Sequence, residues 1–164
     1  MTKPTVLVAL QGDADARAVF GRVLGQMAGV AFLADLADAE RAGALGTADI
    51  VVSRHIGKEL RPGETLAAGR LRLLQFVTAG IDHVPLRHLP AELAIAHNGG
   101  AYAEPMAEHA VAMAFAAAKR LFVEQRKLER GEFDQFRANR MLAGAVCGIL
   151  GMGGVGVATA RRMR

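Results

Sequence analysis

The sequence contains one cysteine, Cys147, no tryptophan and one tyrosine. A single cysteine excludes an internal disulfide, so an apolar core must hold the fold together. The shortage of Trp and Tyr removes the aromatic platforms on which nucleic-acid bases stack, and the 20 basic residues are scattered among 16 acidic ones. We therefore expect no nucleic-acid partner.

Long hydrophobic runs are also missing. The most apolar stretch, residues 110–118, is far shorter than the ~20 residues that span a bilayer. The apolar stretch near the N-terminus, Val6–Leu10, is too short for a signal peptide. We therefore expect a cytoplasmic protein without a membrane partner. Cys147, inside an apolar run, is expected to be a buried thiol.

Three of the five histidines, His55, His88 and His97, have no cysteine or carboxylate partners at metal-ligand spacing, so no metal site is predicted. With 164 residues, 52% of them hydrophobic, the chain has about the length of one domain and enough apolar residues for a core. The net charge of +4 favours small anionic ligands such as carboxylates and phosphates.

Short apolar segments alternate with helical ones through the first hundred residues. This alternation predicts an α/β fold with a parallel sheet covered on both faces. The carboxyl ends of such strands share one edge of the sheet, which places Arg54, Thr78–Gly80 and Asn98 near each other. The predicted strands are 5–10, 30–33, 50–53, 73–77 and 93–96, and the predicted helices are 14–27 with Asp13 as N-cap, 35–44 and 60–68.

The pattern changes after Asn98. A long helix is predicted over 104–121, a second helical stretch over 122–130, and a loop with aromatic anchors Phe133 and Phe136 over 131–139. An apolar strand over 146–150 then leads into a glycine motif. That strand lacks neighbouring strands in this chain. We therefore expect a fragment of a longer protein, or a second chain that covers this apolar face.

The glycine motif has the form Gly-x-Gly-x-x-Gly. In dinucleotide-binding folds Gly151 would make the tight strand-to-helix turn, Gly153 would let the backbone approach a pyrophosphate, and Gly156 would let helix and strand pack closely. The free amides at the start of the following helix favour phosphate. A purely structural glycine turn is the alternative interpretation.

Four ordered segments together resemble the NAD-dependent D-isomer-specific 2-hydroxyacid dehydrogenases. Their order and spacing match over most of the chain, which is far more specific than the glycine motif alone. The segments are Leu74-Gln75-Phe76-Val77-Thr78-Ala79-Gly80-Ile81-Asp82-His83, His97-Asn98-Gly99-Gly100, Met106-Ala107-Glu108-His109 and Gly148-Ile149-Leu150-Gly151-Met152-Gly153-Gly154-Val155-Gly156.

This resemblance implies two domains with the active site between them. Residues 1–97 would form a flavodoxin-like substrate domain, and residues 98–164 would begin, without completing, a Rossmann domain that binds NAD, with NADP not excluded. It implies an oxidoreductase that interconverts a small 2-hydroxy acid and its 2-oxo acid by hydride transfer. The intact protein would be a homodimer.

By position, the resemblance assigns the cofactor to Gly151, Gly153, Gly154, Val155, Gly156 and Ala79. The pyrophosphate would meet the backbone amides of Gly154 and Val155. The substrate carboxylate would meet the amides of Ala79 and Gly80, which hold fixed positions and do not titrate. Arg54 could add its guanidinium, with a surface ion pair as its alternative.

No catalytic residue is assigned. The segments that would supply the family's catalytic His, its tuning Glu and its carboxylate-binding Arg would all lie beyond Arg164, so the chain as given is expected to be inactive. His83 is interpreted as a local hydrogen-bonding residue, with a substrate contact as its alternative. A different class of function, a non-catalytic nucleotide-binding or subunit-pairing module, remains open.

Overall fold

The computed structural model describes residues 2–66 and 70–164. They form two compact units, residues 1–99 and residues 100–164. In the first unit the elements are β1 (Thr5–Val8), α1 (Ala14–Leu24), β2 (Gly29–Phe32), α2 (Asp38–Thr47), β3 (Ile50–Ser53), α3 (Ile56–Glu59), β4 (Leu73–Phe76) and β5 (Ala94–Ala96). In the second unit they are α4 (Ala103–Ala118), α5 (Leu121–Leu128) and α6 (Gly154–Arg162).

The five strands of the first unit form one sheet in the order β2-β1-β3-β4-β5, and every neighbouring pair is parallel. All five predicted strands are present, with ends shifted by up to two residues on most of them. The predicted fold class, α/β with a parallel sheet, is therefore confirmed.

Alternation along the strands sends apolar side chains to both faces of this sheet. Leu7 contributes to the core cluster that includes Leu45 of α2, whereas Val6 and Val8 contribute to a second cluster with Phe20 of α1. Successive side chains of a strand point to opposite faces, so both faces need a helical cover. The two helices supply it, as expected for a parallel sheet.

Local hydrogen bonds explain where the first helices begin. The amide of Ala16 donates to Asp13 Oδ1 at 2.8 Å, which confirms Asp13 as the N-cap of α1. At α2 the amide of Ala37 donates to Glu40 Oε2 at 3.0 Å. Both contacts satisfy amides that the helices themselves leave free.

The prediction of a short helix over residues 60–68 is wrong for residues 60–66, which the structure describes. A one-turn helix forms earlier, over Ile56–Glu59, and residues 60–66 are a turn followed by irregular chain. Pro62 and Gly63, with φ of +87° at Gly63, stop helical propagation there. Ala67 and Ala68 lie outside the described residues.

In the second unit the predicted long helix stops earlier than expected. α4 ends at Ala118, and Arg120, with φ of 57° and ψ of 31°, separates it from α5. A left-handed residue redirects the chain because it cannot continue a right-handed helix. The second predicted helical stretch is confirmed as α5, two residues shorter at its end.

The predicted strand over 146–150 is wrong, because no strand runs beside these residues in the part of the second unit that the structure describes. A strand exists only through hydrogen bonds to a neighbour, and Val146 and Leu150 are therefore fully exposed. Cys147 is exposed too, so the expectation of a buried thiol is wrong. Phe133 and Phe136, 76% and 89% exposed, do not anchor the loop.

Among the described residues, none of the helices has both the length and the apolar character that a membrane span requires.

A glycine turn and the carboxyl edge of the sheet as candidate sites

The glycine motif forms a tight turn into α6. Gly151 has φ of +92°, a conformation that side-chain-bearing residues rarely adopt. A Cβ on Gly156 would lie 3.0 Å from the carbonyl carbon of Gly151, and closer still to its oxygen. Both positions therefore require glycine for physical reasons that belong to the turn itself.

Gly153 and the residues after it have a different geometry. Gly153 is the N-cap of α6, and a Cβ built on it would meet, apart from its two chain neighbours, no atom of the described residues within 4 Å. The first amides of α6, at Gly154, Val155 and Gly156, precede the first intrahelical hydrogen bond, which Val157 donates to Gly153 at 2.9 Å. The turn thus presents free N–H groups and a positive dipole end beside open space.

α6 packs closely on α4. Ala107 and Ala158 are buried, and a Cβ on Gly154 would lie 3.4 Å from that of Ala103. Arg162, near the end of α6, forms ion pairs with Glu104 and, at 3.2 Å, with Glu108. The carboxylates also raise the pKa of Arg162, chiefly through the Glu104 hydrogen bond. Glu108 is thus a structural carboxylate.

The first unit brings its candidate residues to one edge of its sheet. Arg54, Thr78–Gly80 and Asn98 follow the neighbouring strands β3, β4 and β5. The amide of Val77 donates to the carbonyl of Ser53 at 2.9 Å, and the amide of Asn98 donates to that of Thr78 at 2.9 Å. These bonds continue the ladder past the strand ends and fix the backbone immediately before Ala79.

Glu59 organises the loop that carries Arg54. Its carboxylate accepts hydrogen bonds from the Ser53 hydroxyl at 2.5 Å, the Arg54 amide at 2.9 Å and the His55 amide at 3.1 Å. The Arg54 side chain is exposed and forms no ion pair among the described residues. The guanidinium is therefore available to a ligand at this edge.

Sequence reasoning missed a pair of histidines beside this edge. The rings of His55 and His83 stack with centroids 4.3 Å apart and planes inclined by 37°. His83 thus contacts another side chain rather than closing its own loop. Nothing in the spacing of two histidines 28 positions apart signals such a contact, because only the adjacency of β3 and β4 creates it.

The predicted site residues thus fall into two groups. Arg54, Ala79 and Gly80 lie at the carboxyl edge of the sheet in the first unit, and Ala79 is half-buried while the other two are exposed. The other group is the turn of residues 151–156 in the second unit. Their assignments to substrate and cofactor stay predictions. The described residues contain no cluster of three side chains able to hold a metal ion.

A comparison with proteins of known function finds a partial sequence match. A glyoxylate reductase from Thermofilum pendens is 26% identical over 103 residues, covering 59% of this chain and 30% of that protein. No protein-family model matches the chain.

Solved structures with the same fold include the following two. One is a D-isomer-specific 2-hydroxyacid dehydrogenase family protein from Aeromonas salmonicida, with TM-score 0.74, 16% identity, and coverage of 99% of this chain and 50% of that one. The other is a D-lactate dehydrogenase from Aquifex aeolicus complexed with NAD and lactic acid, with TM-score 0.67, 18% identity, and coverage of 97% and 47%.

The chain spans about half the length of these solved structures and less of the curated relative. Both the sequence match and the shared fold lead to the same group of proteins that the four motifs indicate. The chain thus resembles the D-isomer-specific 2-hydroxyacid dehydrogenases in sequence and in fold.

Proposed function

We propose that the protein carrying this chain is a nicotinamide-dependent oxidoreductase that interconverts a small 2-hydroxy acid and its 2-oxo acid. The observation that carries the proposal is the turn of residues 151–156. Its left-handed Gly151, its uncrowded Gly153 and its obligatory Gly156 make the cradle that a pyrophosphate requires.

In this proposal the amides of Gly154 and Val155 donate hydrogen bonds to the pyrophosphate. The open space at Gly153 lets the phosphate oxygens reach the backbone, and the N-terminal dipole of α6 favours their negative charge. When bound, the nicotinamide supplies the hydride acceptor or donor. We propose NAD, since the Aquifex aeolicus structure is described with NAD, and NADP stays an alternative.

The substrate side of the proposal uses the first unit. The amides of Ala79 and Gly80 would bind the substrate carboxylate, and Arg54 would add a positive charge from the next strand. The ladder bonds at Val77 and Asn98 hold the backbone at this point, so these donors need no reorganisation when the anion binds. No residue of this chain is assigned as the acid or base.

Nucleotide binding is tested with the Gly153→Ala variant. Its Cβ comes within 4 Å of none of the described residues other than its chain neighbours, so the variant should keep the wild-type circular dichroism and Tm. The methyl group would occupy space that the phosphate needs, and we expect NADH affinity, measured by fluorescence titration, to fall at least about tenfold. Gly46→Ala, an open helical position in α2, is the matched control. Equal affinities in all three proteins would overturn the cofactor assignment.

The reaction is tested separately. The protein that carries this chain should oxidise NADH with at least one of glyoxylate, hydroxypyruvate and pyruvate. Nucleotide binding without turnover of any 2-oxo acid would instead favour the nucleotide-binding module, and co-purification with a longer dehydrogenase subunit would favour the subunit-pairing module. A homodimer, which we also propose for the intact protein, is measured by light scattering.

A further inference from the structure

The sequence contains two asparagines, Asn98 and Asn139, and only Asn98 precedes a glycine. The amide nitrogen that follows an asparagine can attack the side-chain carboxamide and close a succinimide ring. A glycine at the following position favours this attack, because it has no Cβ to block the approach and its backbone turns freely. Asn98 and Gly99 are both exposed, so water reaches them from solvent. The pair thus meets the first conditions for spontaneous deamidation.

The amide nitrogens that follow the two asparagines differ in whether they are already bonded. The amide of Gly99 donates no hydrogen bond within the part of the chain that the structure describes. The amide of Arg140, which follows Asn139, donates to the carbonyl of Ala118 at 3.1 Å. A bonded N–H has to give up that bond before its nitrogen can attack. Only Asn98 therefore has a free nucleophile beside it.

The carboxamide of Asn98 is held weakly. Its Nδ2 donates to the carbonyl of Val77 at 3.4 Å, which is longer than the ~2.7–3.2 Å of ordinary N–H···O hydrogen bonds. The main chain before it is fixed, because the Asn98 amide donates to the Thr78 carbonyl at 2.9 Å. The side chain is therefore free to rotate toward Gly99 while the backbone on its N-terminal side stays in place.

The imidazole of His97 lies against Gly99. A Cβ built on Gly99 would be 2.9 Å from Cε1 and 3.3 Å from Nδ1 of this ring. Succinimide formation needs a base that takes the proton from the attacking amide and an acid that protonates the departing amine. An imidazole exchanges protons near neutral pH and performs both tasks in many enzymes. His97 thus supplies an acid/base group beside the residue whose nitrogen reacts.

We propose that Asn98 is a site of spontaneous deamidation, assisted by the His97 ring. The Gly99 nitrogen gives up its proton and bonds to Cγ of Asn98, the bond from Cγ to Nδ2 breaks, and the leaving amine takes up a proton and departs as ammonia. Water then opens the succinimide at either carbonyl, which leaves aspartate or isoaspartate at position 98. Water is the only co-reactant, and no atom is oxidised or reduced.

The modification places a negative charge at the carboxyl edge of the sheet. The new carboxylate has no proton to donate to the Val77 carbonyl, so the contact made by the carboxamide is lost. The strand that precedes Asn98 lies beside the one that leads into Ala79 and Gly80, the proposed carboxylate donors. Like charges at one edge repel. The consequence, which rests on the proposed function, is that affinity for 2-hydroxy and 2-oxo acids falls as the protein ages.

The modification is tested by incubating the folded protein near neutral pH and following both asparagines by peptide mapping with mass spectrometry, with an isoaspartyl methyltransferase assay for isoaspartate. Asn98 should deamidate at least about tenfold faster than Asn139, since its nucleophile is free and adjacent. His97→Phe, which keeps a ring without a titrating nitrogen, should slow the reaction several-fold, whereas His88→Phe at another exposed position should not. Equal rates at the two asparagines would overturn the assignment, and an unchanged rate in His97→Phe would overturn the part given to His97.

The consequence for binding is tested with D-lactate, titrated without cofactor and followed by NMR at the amides of Ala79 and Gly80. Asn98→Asp, which carries the charge of the aspartate product, should weaken D-lactate binding several-fold, and high salt should reduce this difference. Asn98→Gln keeps an uncharged amide and should bind as the wild type does. Equal affinity of Asn98→Asp and wild type would overturn the consequence for binding. If D-lactate left both amides of the wild type unshifted, the proposed carboxylate site would fail, while the deamidation rates would still decide the modification.

Discussion

Gly156 lies directly against the carbonyl group of Gly151, and a Cβ at position 156 would be 3.0 Å from that carbonyl carbon. The first and last glycines of the motif are therefore coupled through contact with each other. Gly153 lies between them, and a Cβ built at this position would meet none of the described residues within 4 Å, its chain neighbours aside. The motif thus separates into two glycines that the fold requires and one that leaves open space.

This separation gives a first prediction. Gly156→Ala should destabilise the second unit by roughly 1–3 kcal/mol, because the methyl group has to displace backbone that cannot easily move. Chemical denaturation followed by circular dichroism measures the change. Gly46→Ala, whose Cβ meets nothing within 4 Å in a helix, should leave stability unchanged or slightly raise it. A wild-type unfolding curve for Gly156→Ala would contradict the turn geometry described above.

The buried pair of Arg41 and Glu64 predicts how stability depends on pH. Arg41 is 5% exposed, and its Nε lies 2.6 Å from Glu64 Oε1. Hydrogen bonds from the Arg41 guanidinium, together with one from the Arg61 amide, lower the pKa of Glu64 from 4.5 to about 2. A carboxyl group whose pKa is lower in the folded state stabilises the protein fully at pH values above the pKa that it has in the unfolded state. That contribution, roughly 3 kcal/mol, should disappear as the pH falls from 4.5 to about 2.

The measurement is the free energy of unfolding of Glu64→Gln and wild type between pH 7 and pH 2. Near pH 7 the variant should be less stable by roughly 3 kcal/mol, since Arg41 keeps its bond to the Leu33 carbonyl but loses its charge partner. The difference should shrink in acid. Asp38→Asn is the control, because the Asp38–Arg61 pair is largely exposed and should contribute less than about 1 kcal/mol.

A third prediction concerns Arg162, which joins α6 to two carboxylates of α4. Glu104 and Glu108 are more than half exposed, so solvent screens both pairs. Arg162→Ala should lower the denaturant midpoint of unfolding slightly, and this effect should become smaller in 1 M salt. Arg161→Ala, the adjacent exposed residue, should change little. Equal effects of the two substitutions would show that the ion pairs contribute nothing.

The exposed thiol of Cys147 gives a fourth prediction. Because the segment around it has no strand beside it within the described residues, a thiol reagent should titrate one group in the native protein without denaturant. Cys147→Ser should abolish the reaction. Modification that required unfolding would show that something covers this segment in solution, such as a second chain or further parts of a longer protein.

Sequence periodicity was sufficient for the sheet of the first unit. Strands such as Ile50–Ser53 are short, mostly apolar runs between helical segments, and a parallel direction follows once helices separate them. Asp13 as N-cap was equally readable, because an N-cap depends only on residues within one turn. The same pattern failed for residues 146–150, since an apolar run predicts a strand only if a neighbour exists to pair with it.

The local sequence by itself determined the strands of the first unit, their parallel direction and the glycines that a tight turn needs, because those depend on short-range sterics and apolar periodicity. Only the tertiary structure decided which distant side chains meet. The stack of His55 on His83, the burial of Arg41 with Glu64 and the ion pairs of Arg162 each join residues more than 20 positions apart. Contacts of that kind are fixed by which strands and helices pack together, and no local pattern encodes them.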